Sequence, residues 1–225
     1  MNLSDWSPRA IPGQADLTGN SVILEPIDWT RHLEGLYSAV ASENNNDIWT
    51  YMPIGPFVDK AQFQSNFSAV SSHLGWQTLV IKSQENQSVL GMASFMRIRE
   101  AHGSVEVGCV AFGQHLKRTK EATEAMYLMA RHVFEDLWYR RYEWKCHNEN
   151  AASKRAAERF GFQFEGIFRN DMVIDGKNRD TAWFAMTDGD WPKLKAAFEA
   201  WLDPDNFDVQ GRQLQRLETL RSEAP

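Results

Sequence analysis

Cysteine, long apolar runs and surplus positive charge are all scarce in this 225-residue sequence, and each shortage excludes a class of protein. The two cysteines, Cys109 and Cys146, lie in strand-like apolar runs with no CxxC and no histidine pair at ligand spacing. They support neither a disulfide scaffold nor a zinc site, and read as buried thiols of a reducing compartment. The six histidines, at 32, 73, 102, 115, 132 and 147, form no ligand spacing either, so no metal is expected. Nowhere do about 18 uncharged apolar residues run together, and MNLSDWSPRAIPG lacks the apolar stretch of a secretory leader. The expectation is a soluble, cytoplasmic protein with no membrane partner. Lys and Arg number 24 against 30 Asp and Glu, a net charge of −6, so no general field draws the chain to nucleic acid. Any anion it binds is held locally. Absent too are GxGxxG, GxxxxGK[ST], GxSxG and HExxH, which leaves nucleotide hydrolysis, serine hydrolysis and zinc chemistry without a foothold.

What is abundant is aromatic: nine Trp, thirteen Phe and five Tyr, enough apolar area for a tightly packed core. Residues 1–20 hold Pro8, Pro12, Gly13 and Gly19 with little periodicity and read as an irregular arm, which Trp6 would pin down. A single domain is expected over 21–202 and a polar tail over 203–225, where Leu214, Leu217 and Leu220 could form a short packed helix.

Within the domain, SVILEPI (21–27) reads as a strand and 29–41 and 60–74 as helices. Three strands, 78–82, 89–99 and 104–112, follow with short turns, as in an antiparallel meander. The strongest helical pattern is 120–138, apolar at Ala122, Met126, Met129, Ala130, Val133, Phe134 and Leu137, with Glu124, Arg131 and Glu135 on the other side. A strand over 141–146, a helix over 151–160 with Gly161 as left-handed cap, strands over 162–174 and 181–187 around DGKNRD, and a helix over 191–202 complete it. This order predicts an α+β fold, a mixed sheet with helices over its faces. The helix between strands 104–112 and 141–146 makes a β-α-β unit in which those strands can lie parallel.

Two helix starts carry candidate chemistry. HLKRTK sets Lys117, Arg118 and Lys120 at the N-terminus of the long helix, where unpaired N–H groups and the helix dipole already favour a phosphate. Thr119 acting as a cap in a solvated basic loop accounts for the same residues without a ligand. Asn150 and Ser153 open the next helix as cap and first-turn residue. Parallel flanking strands would bring both starts to one sheet edge, where α/β sheets bind ligands.

The element order, with EVGCVAF, KRTKEATEA and NxxSxRxAERFGFxFEG, resembles the GNAT N-acetyltransferase superfamily and its RimJ/RimL-like branch, from about Val22 to Thr187. The resemblance implies a mostly antiparallel mixed sheet with one parallel, splayed strand pair, flanked by helices. It implies acetyl-CoA, with its diphosphate on a Q/R-x-x-G-x-G/A loop that reads Lys117, Arg118, Thr119, Lys120, Glu121, Ala122 here. Only Ala122 matches that pattern outright, and Lys120 stands where the family has glycine. By the same resemblance pantetheine lies along Val110 to Phe112, Asn150 bonds it, and Ser153 offers a hydroxyl to the leaving thiolate.

The implied reaction is direct attack of a primary amine on the thioester, at a peptide N-terminus or a small amine. A backbone N–H near Cys109 or Val110 would hold the carbonyl. Glu106 and Glu143 are the available carboxylates for the base, and Glu106 is preferred because a bulge at Gly108 would turn it into the cleft; a solvent-facing strand residue paired with Arg140 or Arg141 accounts equally well for either glutamate, and a water relay is the other option for the base. An α-amino group, with a pKa of about 8, needs little help, whereas a lysine amine at about 10.4 must give up roughly 4 kcal/mol to be neutral near pH 7. Trp49, Tyr51, Met52 and Phe57, with Asn178, Arg179 and Asp180 of the hairpin, are the substrate-side candidates, and the aromatics among them serve equally well as core. Two other readings stay open, a non-catalytic acyl-CoA-binding module and an acyltransferase using succinyl-CoA, and exposed apolar surface leaves a homodimer open.

Overall fold

A computed structural model describes residues 3–174 and 176–223. Its elements are β1 (Leu17–Thr18), β2 (Val22–Pro26), α1 (Trp29–Leu36), α2 (Lys60–Leu74), β3 (Gln77–Ser83), β4 (Val89–Arg99), β5 (Ser104–Phe112), α3 (Lys120–Arg131), β6 (Arg141–His147), α4 (Ala151–Arg159), β7 (Gln163–Ile174), β8 (Lys177–Thr187), α5 (Trp191–Leu202) and α6 (Leu217–Glu223). The strands form one eight-stranded sheet in the order β1-β2-β3-β4-β5-β6-β8-β7. Every neighbouring pair is antiparallel except β5–β6, which the α3 crossover makes parallel. The expected mixed α+β sheet is thus the observed one.

Two hydrophobic layers hold the helices to it. On one face α3, α4 and α5 pack on alternate strand residues such as Val105, Val107, Tyr142, Trp144 and Phe184. On the other face α1, α2 and the 43–57 segment cover Val80, Met92, Met96 and Ala111. Phe63 and Phe67 of α2 are fully buried there, each contributing on the order of 1.5–3 kcal/mol. Among the described residues that second layer stops at β5, and no helix covers β6, β8 and β7 on this face.

Several expectations are corrected. The arm is not irregular throughout, since Leu17 and Thr18 pair with Leu24 and Ile23, while Trp6 anchors it as expected by donating its indole N–H to Ala101 O at 2.8 Å. The sheet therefore begins before residue 21. Glu124 does not face solvent, because the arm and β2 cross over α3. Its carboxylate is buried and accepts the N–H groups of Asn20 (2.6 Å), Ser21 (2.7 Å) and Val22 (3.2 Å). The last strand starts at Lys177 rather than 181, since Asn178 and Arg179 pair with Val173 and Met172. Asp175 of the DGKNRD turn lies outside the described residues. In the tail Leu217 is buried under α5, whereas Leu214 is exposed. Gly161 takes the expected left-handed cap, at φ +95.

Candidate active site

The parallel ladder between β5 and β6 is short, running from Ser104–Arg141 to Val107–Trp144. Beyond it each strand stays with its outer neighbour: Gly108, Ala111 and Phe112 pair with β4, and Lys145 to His147 with β8. The sheet therefore opens along Gly108–Phe112. Where it opens, two β5 residues, Cys109 and Val110, stand opposite Ala93 alone, with Cys109 at φ +46. This bulge, which sequence reasoning put at Gly108, takes Cys109 and Val110 out of register with β4 just where β6 has also let go. Burial pushes the Cys109 thiol up to about 12, so it stays protonated and is a poor nucleophile.

Both helix starts lie at this edge. Thr119 caps α3 by accepting Ala122 N–H at 3.2 Å. The three nearby cations are not three free charges. Lys117 reaches Asp47 at 3.3 Å and Lys120 lies 4.6 Å over the Phe207 ring, a tail contact that no local pattern announces. Arg118, exposed and at φ +65, is the one of the three without a partner among the described residues. Asn150 caps α4, accepting Ser153 N–H at 3.0 Å. Ser153 Oγ accepts the Trp144 indole N–H at 2.9 Å, which leaves the hydroxyl proton for another acceptor. Burial raises the neighbouring Cys146 thiol against the opposing hydrogen bond from Ser153.

On the other face Glu106 and Glu143 stand side by side as cross-strand partners. Neither is a solvent-facing residue; they are 3% and 2% exposed. Arg97 donates to both oxygens of Glu106, at 2.8 and 2.7 Å. Arg99 and Arg141 reach Glu143 at 2.6 and 2.7 Å. Lys145 Nζ bridges the two carboxylates at 3.0 Å each and lies 3.6 Å over the Trp183 ring. Burial raises Glu143, but the Arg141 hydrogen bond and the Lys145 and Arg99 charges outweigh it and hold its carboxyl below the ordinary range. Glu106 pairs with Met96 at the edge of the register shift between Met96 and Arg99, and its oxygens are already occupied by Arg97 and Lys145.

Sequence reasoning missed Arg97, Arg99, Lys145 and Trp183. A signal was present: in RYEWKCH, Arg141, Glu143 and Lys145 alternate with Tyr142, Trp144 and Cys146, so one face is charged and the other apolar. Arg97 has no such signal. It enters through a second bulge, at φ +45, where β4 carries an extra residue against β5.

From Glu143 a groove of about 700 Å³ runs toward the N-terminal ends of β5 and β6, walled by Arg99, Arg141, Phe168 and Trp183. Of the substrate-side candidates, Tyr51 is 38% exposed with its ring 5.2 Å from His147, at the splayed end of β6. Trp49 is elsewhere: it is 1% exposed, packed on Phe57 and Phe63, and donates to Val40 O at 2.7 Å. Its core role follows from the fold of 43–57 over the sheet. Arg179 is half-buried and near enough to Arg97 and Glu106 to feel their charges, while Asn178 donates to Asp180 at 2.9 Å. No cluster able to hold a metal and no helix long and apolar enough to cross a membrane occurs among the described residues.

Comparison with known proteins agrees with this geometry. The model of the acetyltransferase (GNAT) domain family matches residues 21–163. A GCN5-related N-acetyltransferase from Brucella melitensis is 41% identical, with a TM-score of 0.93 over 98% of this chain and 100% of that one. A probable GNAT-family acetyltransferase from Chromobacterium violaceum is 37% identical, with a TM-score of 0.79 over 85% of this chain and 96% of its own. The uncharacterized N-acetyltransferase p20 of Bacillus licheniformis is 26% identical over 145 residues, 62% of this chain and 80% of that protein. A sheet opened between its parallel strands, with two helix N-termini at the opening, is here joined to a family match over well over half the sequence: the chain belongs to the GNAT acetyltransferase family and is an acyltransferase.

Proposed function

We propose that the protein transfers the acetyl group of acetyl-CoA to a primary amine by direct attack in a ternary complex, as a cytoplasmic enzyme of the RimJ/RimL-like branch. The observation that carries this reading is the opening along Gly108–Phe112, flanked by the starts of α3 and α4. The residues there fit the cosubstrate. A capped helix N-terminus with the free Arg118 beside it suits a diphosphate, and Asn150 stands at the mouth of the opening. Lys117, Lys120 and Ala122 belong to the same loop, with Lys117 and Lys120 contributing charge only when they leave Asp47 and Phe207. Acetyl-CoA supplies the activated thioester.

The chain does the rest. The N–H groups of Cys109 and Val110, out of register at the bulge, orient a carbonyl, and Phe112 with Val110 lines the passage to it. The Ser153 hydroxyl, its oxygen occupied by Trp144, turns its proton from Cys146 to a leaving sulfur. The acceptor amine approaches on the face of Glu106, Glu143, Tyr51 and Arg179. Its proton passes to Glu106 once Arg97, whose side chain is 50% exposed, swings off that carboxylate, or to a water held against Glu143. The high Cys109 pKa favours direct attack over an acyl-cysteine route.

The test is release of free CoA from acetyl-CoA and from succinyl-CoA in the presence of N-terminal peptides, polyamines and small amines. Turnover with acetyl-CoA and an amine is the expected result. CoA binding without turnover on any acceptor or donor would instead establish the non-catalytic module, and Glu106→Gln is expected to lower turnover while leaving acetyl-CoA affinity within a few-fold.

A further inference from the structure

Strand β8 carries a row of side chains whose hydrogen-bonding groups are unspent. Arg179, Thr181 and Trp183 alternate with residues such as Ala182 and Phe184 that pack under α3, α4 and α5, so all three stand on the sheet face that α1 and α2 leave open. Thr181 is 2% exposed, yet its Oγ1 has no hydrogen-bond partner among the described residues, and neither has Trp183 Nε1 or Arg179 Nε. Arg179 is the costliest of the three. Half-buried, it makes no hydrogen bond and no ion pair among the described residues, and a guanidinium cannot shed its charge to escape burial. Burial and the neighbouring charge of Arg97 both act against it, and together they outweigh the attraction of Asp171 and Glu106. Glu106 is already taken by Arg97 and Lys145.

The whole open face shows the same surplus. Arg97, Arg99, Arg141 and Lys145 are four cations on the carboxylates of three glutamates, and Arg179 is a fifth cation beside them. In a chain of net charge −6 this face is locally positive. Arg179 also lies toward the reacting end. Thr181 pairs with His147 where β5 has already let go of β6, and Arg179 is two residues further out, near enough to Glu106 to feel its charge.

We propose that Arg179 determines acceptor specificity by receiving an oxyanion, a carboxylate or a phosphate, that the acceptor carries beside its primary amine. The inference rests on the acyl-transfer reading above and names its substrate class: small anionic amines such as amino acids, rather than polyamines. The planar fork of Arg179 takes two oxygens of that group, which holds the amine toward Glu106 and the bulge at Cys109. A polyamine meets the same surplus of cations as repulsion.

Initial rates of CoA release at saturating acetyl-CoA compare matched acceptors: an amino acid and its amide, phosphoethanolamine and ethanolamine, and spermidine. The anionic member of a pair is expected to have a kcat/KM about tenfold or more above its neutral match, with spermidine slowest. Which pair shows the preference separates carboxylate from phosphate. Arg179→Gln is expected to collapse the ratio to within about twofold, through KM rather than kcat, and Arg179→Lys to recover part of it, whereas a merely structural loss would lower both members of a pair alike. Calorimetric titration of the same acceptors into wild type and Arg179→Gln, with CoA present, reads the site without turnover. Anion binding that Arg179→Gln weakens about tenfold would sustain the anion site even if no acceptor turned over, an outcome that removes the acyl-transfer reading alone. Neutral or cationic amines turned over as fast as anionic ones, an anion preference that survives Arg179→Gln, or no anion binding by either measurement would each overturn the proposal.

Discussion

Replacing Lys145 with Met removes one charge from the centre of the site while keeping a side chain of similar length against Trp183. In the wild type its ammonium is 3.0 Å from Glu106 and 3.0 Å from Glu143, so the two carboxylate oxygens are no more than about 6 Å apart. With an effective dielectric of about 20, two unit charges at that separation repel by about 3 kcal/mol once the cation between them is gone. Arg97, Arg99 and Arg141 remain and offset part of this, which leaves a cost of about 2–3 kcal/mol, or a fall in Tm of roughly 5–10 °C near neutral pH. The loss is pH-dependent with a defined sign. In the wild type Glu143 is held below its ordinary value, so its stabilising contribution is present above that value and is lost as pH falls through the depressed folded one. In the variant the carboxyl rises instead, so the penalty is full above the raised value and disappears as the group takes up a proton. The gap in Tm between wild type and Lys145→Met should therefore narrow as melting is repeated from about pH 8 down to about pH 5. An equal gap at every pH would refute the electrostatic reasoning and assign the loss to packing on Trp183.

Other outcomes follow from the same contacts. Asn150→Ala removes the α4 cap and is expected to cost about 1 kcal/mol, or 2–4 °C in Tm, with weaker CoA binding read by calorimetry. Arg118→Ala is expected to weaken CoA about five- to tenfold without moving the melting point of the free protein, and Lys120→Ala to do less to CoA because Lys120 rests on Phe207. With its thiol near 12, Cys109 should be alkylated by iodoacetamide at about pH 8 on the order of a thousandfold more slowly than an ordinary cysteine; labelling at the ordinary rate would contradict the raised pKa.

Local chemistry made much of the fold legible. The alternation in TLVIK and SVEVGCVAF marks strands β3 and β5, Thr119 and Asn150 stand where helices need caps, and Gly161 stands where a chain must turn left-handed. These signals act over a few residues and are written in sequence. The parallel pair was legible only as an option, since helices also join β2 to β3 and that pair is antiparallel. What was not legible depends on meetings between distant segments. Glu124 reads as a surface residue of an amphipathic helix until the arm brings three backbone N–H groups onto it. Glu106 reads as a free base until Arg97 arrives from another strand through a bulge. Lys120 reads as part of an anion trap until Phe207, far along the chain, takes it.

By itself, then, the sequence determined most of the elements, their order and the family resemblance, since periodicity, capping and short motifs are local properties. The tertiary structure decided where the sheet opens, which charges are neutralised and which aromatics are core. Those depend on register and on long-range contact: a one-residue bulge at Cys109 or Arg97 changes which groups face each other, and no local pattern specifies its partner across the sheet.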